Sequence, residues 1–262
     1  MRDIPFFLKT YLAKRPFFLS LIRAKEAYLF QRFLPLKNPI LDIGCGDGFF
    51  AKTALIMFEN STENYIDVGL DLENSRIKEA KMVGIYKRVV KYNGSKIPFP
   101  SRYFSTIIAN CVLEHVMDIE IVLEEIYRVL KPNGLFLTTV MAKQWEKYMF
   151  GALLLGSRYQ KWMQKKQVHL NLLNADGWDD VFTRLDFSIK EKIGYFPKSI
   201  CMLFDMAHYL SLPSLVTYKL FGKWVLLGDK LSVIYPINLL SKILKTNTHP
   251  DESGAIFYLL EK

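Results

Sequence analysis

The residues with the clearest chemical potential lie in one run, Pro39-Ile40-Leu41-Asp42-Ile43-Gly44-Cys45-Gly46-Asp47-Gly48-Phe49-Phe50. Ile40, Leu41 and Ile43 are strand formers around a single charge, Asp42, and the segment from Phe49 to Phe58 has helix-forming composition. A strand, a glycine turn and a helix bring backbone close to a ligand and offer it the free N–H groups of a helix N-terminus. The chemistry implied is binding of a small, polar, partly anionic molecule over Gly44 to Gly48. A dinucleotide is one candidate, but its G-x-G-x-x-G fingerprint wants a third glycine where this chain has Phe49. Asp71 lies near the end of a second strand, Tyr65-Ile66-Asp67-Val68-Gly69-Leu70-Asp71-Leu72-Glu73, where a carboxylate accepts well from ribose hydroxyls. That pairing supports adenosine recognition and leaves the cofactor open.

These residues need a frame, and the periodicities supply one. Residues 6–34 read as helical and are split by Pro16, forming a layer that packs on the core or closes over a pocket mouth; packing is the simpler reading. Asn74 or Ser75 can cap a helix running to about Val83. A third strand, Arg88 to Tyr92, enters Asn93-Gly94-Ser95, and the non-helical linker Ile97-Pro98-Phe99-Pro100 leads to a fourth, Ser105 to Cys111. Asp118 is placed to cap a helix from Ile119 to Leu130, Lys131-Pro132-Asn133-Gly134 reads as a stop and turn, and Leu135 to Val140 as a fifth strand. Lys143 to Lys166 is aromatic and basic, with a helix expected. Asn174 or Asp176 caps another helix through Leu185, and Phe187 to Ile193 resembles a strand. Apolar segments broken by Pro197, Pro213 and Pro236 follow, and Ala255 to Leu260 closes the chain as a strand.

Strands alternating with helices predict an α/β fold with a doubly wound, mostly parallel sheet. Without repeats or low-complexity linkers, residues 1–262 read as one domain. It comprises an N-terminal helical cap (1–36), a cofactor-binding core (37–142) and an acceptor-side half (143–262) with a helical insertion at about 195–250.

Half the residues are hydrophobic and 14% aromatic, which excludes wholesale disorder. The net charge of +9 permits an anionic partner without demanding one, because no block of Lys and Arg concentrates it. Cys45, Cys111 and Cys201 are odd in number, far apart and lack C-x-x-C spacing. They predict neither a disulfide framework nor a zinc site, no metal is assigned, and a reducing cytoplasm suits them. The N-terminus makes a poor signal peptide, and no uncharged run reaches the roughly 18–20 residues of a spanning helix.

In order and spacing, five segments resemble the class I S-adenosylmethionine-dependent methyltransferases, especially those with small-molecule acceptors. They are Leu41-Asp42-Ile43-Gly44-Cys45-Gly46-Asp47-Gly48, Val68-Gly69-Leu70-Asp71-Leu72, Ile97-Pro98-Phe99-Pro100, Val112-Leu113-Glu114-His115-Val116 and Arg128-Val129-Leu130-Lys131-Pro132-Asn133-Gly134. The resemblance covers about residues 38–142 and implies a seven-stranded sheet with a reversed final hairpin, drawn from the strands near 187–193 and 255–260. It implies that the backbone of Gly44, Cys45 and Gly46 approaches the methionyl end of S-adenosylmethionine, with Asp42 near its ammonium. Asp71 would bind the ribose hydroxyls and Leu72 pack on adenine. In the loop holding Gly94, Asn93 replaces the usual Asp, and its amide oxygen could accept from the adenine amino group. Asn110 and Cys111 would lie beneath the sulfonium. The chain departs from the family at Phe104-Ser105, where Phe-Asp is usual. Plainer readings stay open: Asp42 as a turn cap, Asn93-Gly94 as a turn pair, and Cys111 as a small core residue.

Methyl transfer needs an in-line nucleophile near the methyl group, and a base when the acceptor is a hydroxyl or a protonated amine. His115, following the fourth strand, is the first catalytic candidate, with Glu114-His115 as a structural turn the alternative. His169, opening His169-Leu170-Asn171-Leu172-Leu173, is a substrate-side candidate. Tyr11, Tyr28, Trp145 and Tyr159 could wall a pocket, although most aromatics are core. The absence of an Asn/Asp-Pro-Pro-Tyr/Phe sequence, and of an aromatic–basic cluster, disfavours nucleic acid. A small or lipid- or glycan-linked acceptor, methylated on O or N, is the leading expectation. Leu212 to Leu227 and Ile234 to Leu244, within a stretch of about 195–245, suit a membrane surface or an acceptor pocket, against a plain role packed on the sheet edge. The competing functions are a nicotinamide-dependent oxidoreductase and a non-catalytic S-adenosylmethionine-binding module.

Overall fold

The computed structural model describes residues 2–55, 66–73, 75–226, 228 and 234–262. The expected helix extension to Phe58, Tyr65 at the start of the second strand, Asn74 as a cap and Leu227 fall outside these residues.

Seven strands form one sheet: β1 (Ile40–Ile43), β2 (Ile66–Leu72), β3 (Tyr86–Tyr92), β4 (Phe104–Asn110), β5 (Leu130–Met141), β6 (Ser188–Gly194) and β7 (Ala255–Glu261). Their order is β3-β2-β1-β4-β5-β7-β6, with β7 antiparallel to both neighbours and the other pairs parallel. The doubly wound sheet and its reversed last hairpin are as the sequence led us to expect. The chain steps outward from β1 to β3 and then returns to β4 on the other side of β1. Such a reversal opens a crevice at the carboxyl ends of β1 and β4, where ligands of open α/β sheets bind.

Alternating strand residues feed two cores, one on each face. Ile40, Ile108, Leu137 and Phe257 meet α1 (Ile4–Leu12), α2 (Phe17–Phe30) and α3 (Phe49–Leu55). Their neighbours Leu41, Ile107, Phe136 and Tyr258 meet α5 (Ile119–Val129) and α9 (Ala175–Arg184). In α1, the Asp3 carboxylate accepts from the Phe6 N–H at 3.0 Å, and Ile4, Phe7, Leu8, Tyr11 and Leu12 are buried at helical spacing. Pro16 separates α1 from α2, as expected. Asp118 accepts from Ile121 N–H and caps α5, and Asn174 rather than Asp176 caps α9 by accepting from Gly177 N–H, both at 3.1 Å.

Two local expectations need correction. Ser75 does not cap α4 (Ile77–Val83); its hydroxyl donates to Leu72 O at 2.8 Å, and that helix has no side-chain cap. Lys131 to Gly134, expected as a turn before the fifth strand, lies inside β5. Leu130 already pairs with Phe104, and the strand end at Lys262 supplies partners for Asn133 N–H (2.9 Å) and Gly134 O (3.1 Å). Asn133 keeps the kink of a turn at φ 58°.

The acceptor-side half carries α6 (Gln144–Tyr148), α7 (Phe150–Leu155), α8 (Ser157–Gln167), α10 (Lys198–Leu210), α11 (Leu212–Phe221) and α12 (Ile237–Leu244). The insertion is helical as expected. α10 and α12 bury one side against the first core, whereas α11 has no buried residue. Among the described residues no single helix is long and apolar enough to cross a membrane. The pair Lys198–Leu210 and Leu212–Phe221, bent by 45°, meets that length and composition only together.

Candidate functional site

The glycine turn leaves β1 with Gly44 at φ 69° and Gly46 at φ 57°, a region in which L side chains are strained. A Cβ on Gly44 would also stand 2.5 Å from Val112 Cγ2, so this glycine lets the turn after β1 touch the loop after β4. Nothing lies within 4 Å of the corresponding position on Gly46, which faces open space. That opening, on a turn rich in N–H groups, fits a ligand laid against backbone.

Asp71, at the end of β2, accepts from Gly46 N–H at 2.6 Å and from Leu72 N–H at 2.7 Å. The carboxylate is therefore aimed at the crevice with lone pairs left for a ligand's hydroxyls. Asp42 is buried and accepts from the Tyr86 hydroxyl at 2.6 Å. Burial lifts its carboxyl to about 7, with the Tyr86 hydrogen bond pulling back and the charge of Asp71 adding. Cys45 is buried beside both carboxylates, and burial first, then their charge, pushes its thiol well up. It is no nucleophile.

A cleft of about 510 Å³ runs between these groups and the end of β4, lined by Gly44, Asp71, Leu72, Asn93, Cys111 and His115 among others. Leu72 is 49% exposed on its wall, a flat apolar contact available to a base. Asn93 is in the cleft, but its Oδ1 accepts from Ser95 and Lys96 N–H, both at 3.1 Å. Both acceptor positions of that oxygen close the loop around Gly94.

The floor beyond β4 contains groups that the sequence did not disclose. Glu26, on α2, is fully buried and gathers four donors. They are Arg23 Nη1 at 2.5 Å, Tyr195 Oη at 2.8 Å, Asn110 Nδ2 at 3.0 Å and Cys111 Sγ at 3.1 Å. Thr139 on β5 completes the network, donating to Asn110 Oδ1 at 2.8 Å and accepting from Cys111 N–H at 3.0 Å. Burial, then the charge of Glu26, raises the Cys111 thiol well above its ordinary value, so it too remains protonated. The one available signal was the Arg23/Glu26 pair at helical i,i+3 spacing among apolar neighbours.

The structure brings His115 and His169 together, with ring centroids 5.1 Å apart. Leu170 and Asn171 N–H donate to Glu114 O at 2.8 and 3.0 Å, and Asn171 Nδ2 donates to Val116 O at 2.7 Å. These bonds strap the His169 segment to the turn Leu113–His115. His115 Nδ1 lies 3.0 Å from Val168 O. A carbonyl only accepts, so Nδ1 carries the proton and Nε2 keeps its lone pair. Burial lowers the pKa of His115, opposed by that bond. Burial and the neighbouring ring lower His169 to about 4. Both rings are neutral at pH 7. Glu114, wholly buried beneath them, is lifted by burial to about 7 against nearby amide dipoles and Arg23. Of the proposed wall aromatics, Trp145 packs on His169 at 5.0 Å, Tyr11 and Tyr159 are buried in the first core, and Tyr28 is partly buried against it.

A second pocket, of about 370 Å³, opens on the α2 side of Gly46 between Phe18, Arg23, Phe49 and Trp224. The insertion reaches it: Arg76 forms an ion pair with Asp47 of the glycine turn at 3.5 Å and lies 3.3 Å from Tyr218 Oη on α11.

Comparison with known proteins agrees with this geometry. A family model described as "Methyltransferase domain" matches residues 41–138. The chain is 28% identical over 137 residues to the malonyl-[acyl-carrier protein] O-methyltransferase of Legionella pneumophila, covering 50% of this chain and 47% of that protein. It is 26% identical over 159 residues to the ubiquinone biosynthesis O-methyltransferase of Bradyrhizobium diazoefficiens, covering 57% and 60%. The chain thus spans about half the length of the curated relatives it matches. In fold it resembles the [4+2]-cyclase SpnF, with a TM-score of 0.57 at 15% identity over 91% of this chain and 80% of that one. It also resembles a geranyl diphosphate methyltransferase solved with GPP and sinefungin, with a TM-score of 0.55 at 13% identity over 90% and 76%. The matched residues 41–138, the sheet order and the glycine turn together support a class I methyltransferase domain with S-adenosylmethionine as its cofactor.

Proposed function

We propose that the protein transfers a methyl group from S-adenosylmethionine to an O or N nucleophile of a small or lipid- or glycan-linked acceptor, with the whole chain working as one domain. The observation that carries this reading is the glycine turn with a pocket on each side. Gly44 lines the cleft with Asp71 and Leu72, while Gly46 lines the aromatic pocket with Phe18 and Arg23. When bound, S-adenosylmethionine supplies an electrophilic methyl group on a sulfonium. Asp71 would hold ribose hydroxyls, Leu72 would pack on adenine and Asp42 would face the ammonium. Asn110 and Cys111 would floor the methyl position. His115, neutral with Nε2 free, is placed to take the acceptor's proton. Positioning by the network around the buried Glu26 supplies much of the remaining rate.

Relatives named for acyl-carrier-protein and ubiquinone chemistry support an acceptor with a polar reacting end on a long or tethered body. The aromatic pocket, which also holds the guanidinium groups of Arg15, Arg23 and Arg76, suits that shape. The exposed apolar side of α11 (Leu212, Leu215, Val216, Leu220, Phe221), with Leu153 to Leu155 on α7 and the basic Lys161, Lys165 and Lys166 of α8, fits an anionic lipid surface. Calorimetric titration with S-adenosylmethionine, S-adenosylhomocysteine and NAD tests the cofactor; binding of NAD alone would overturn the reading. Absence of co-sedimentation with anionic vesicles at low salt would remove its membrane part.

A further inference from the structure

Glu114, His115 and His169 are one carboxylate and two imidazoles whose candidate ligand atoms all lie within 4.8 Å of one another. A tetrahedral ion at about 2.1 Å from each ligand holds such atoms roughly 3.4 Å apart, so small rotamer changes close the gap. We propose that these three side chains bind one divalent first-row transition ion at the acceptor end of the cleft.

Three observations beyond proximity carry the proposal. Glu114 is fully buried, yet neither carboxylate oxygen has a hydrogen-bond partner. Buried polar atoms are almost always satisfied, and a buried carboxyl that has amide dipoles nearby but no hydrogen bond is a costly exception. His169 repeats the pattern: it is 8% exposed, and its buried Nδ1 has no partner. His115 shows the complementary arrangement, with Nδ1 on Val168 O and Nε2 left as a donor pair. A histidine ligand is ordinarily fixed in this way, its second nitrogen donating to a carbonyl or carboxylate.

The support around the triad is rigid and locally strained. Val168 supplies the carbonyl for His115 from φ 55° and ψ 40°, a left-handed conformation that β-branched residues rarely adopt. The Glu114 carbonyl meanwhile receives Leu170 and Asn171 N–H, holding the two histidine-bearing segments in register. Two imidazoles with one carboxylate select zinc, manganese, iron or cobalt over magnesium or calcium, which prefer all-oxygen shells. The cysteine spacing that predicted no zinc site has no bearing on a site of this composition.

His115 lines the cleft that also holds Gly44 and Cys111, so the ion's remaining positions would take oxygen atoms of a bound acceptor, and with the ion in place His115 Nε2 serves as a ligand instead of as the base. This use rests on the methyltransferase reading; the existence of the site does not. The test uses the full chain, stripped with chelator, titrated calorimetrically with Zn²⁺ and by electron paramagnetic resonance with Mn²⁺. One ion per chain is expected, with affinity lowered at least about 100-fold in Glu114→Gln and in His169→Ala. Glu114→Gln mimics a protonated, purely structural glutamic acid, so it keeps the fold whichever role holds; S-adenosylhomocysteine titration of the same samples reports folding and the donor site. No stoichiometric ion in the wild type, or equal affinity in wild type and Glu114→Gln, overturns the proposal. Ion binding without S-adenosylhomocysteine binding would leave the proposal standing and defeat the methyltransferase reading instead.

Discussion

On the donor rim of the cleft, Gly44, Gly46 and Asp71 work through backbone and through partners in neighbouring strands. On the opposite rim, Arg23 and Glu26 of α2 meet Tyr195 through side chains, and His169 meets His115, so three distant parts of the chain converge with the loop after β4. Under the proposed function the donor rim recognises one fixed molecule, so its geometry can be written into a short motif. The acceptor rim must suit a particular substrate, and long-range packing assembles it. The two rims should therefore fail differently when damaged.

The largest effect should come from Glu26→Ala, which strands a half-buried guanidinium and three further donors. A loss of about 3–5 kcal/mol in denaturant unfolding is expected, as for other broken buried pairs. A loss under about 1 kcal/mol would show that the acceptor rim is not held by this hub. Asp71→Ala should instead leave stability nearly unchanged while weakening S-adenosylhomocysteine binding about 100-fold, since each charge-assisted hydrogen bond contributes about 1.5–3 kcal/mol. Equal damage to stability and binding would erase the contrast between the rims.

Asp42 offers a pH readout confined to the donor rim. Its folded carboxyl, at about 7, lies above the unfolded value of 3.8, so the folded state keeps the proton longer. Its contribution to stability is present below the unfolded value and is lost as pH rises through about 7. A bound ammonium favours the carboxylate, so S-adenosylhomocysteine affinity should rise with pH up to about 7 and then level off. Asp42→Asn should flatten that profile, and a flat profile in the wild type would remove Asp42 from the ammonium's surroundings. The smallest effect belongs to the acceptor rim. Val168→Gly relieves a left-handed β-branched residue that is 59% exposed, and a gain of about 1 kcal/mol in stability is expected. The same change should lower methyl-transfer turnover by loosening His115.

How much of this was legible in the sequence follows the same divide. The sheet, the glycine turn, Asp71 and the turn at His115 are encoded within short windows, where spacing reflects geometry directly. Asn93 was read as an adenine acceptor from its position, but its amide oxygen is committed to Ser95 and Lys96. The Glu26 hub was invisible because its bonds reach Asn110, Cys111 and Tyr195, and no periodicity links residues so far apart. The Tyr86–Asp42 bond was missed for the same reason. Lys131 to Gly134 was misread because its strand partner, Lys262, comes from the far end of the chain.

The position of β7 bears on how the protein is made. This strand is synthesised after every other one, yet it lies between β5 and β6 and pairs along both. At roughly 5–20 residues per second, translating the helical insertion after β6 takes several seconds. Throughout that interval the edge of β5 has no partner and β6 has nothing to join, a template for pairing between nascent chains. On this account, yield in a heterologous host should depend on holdase chaperones more than on the stability of the finished fold.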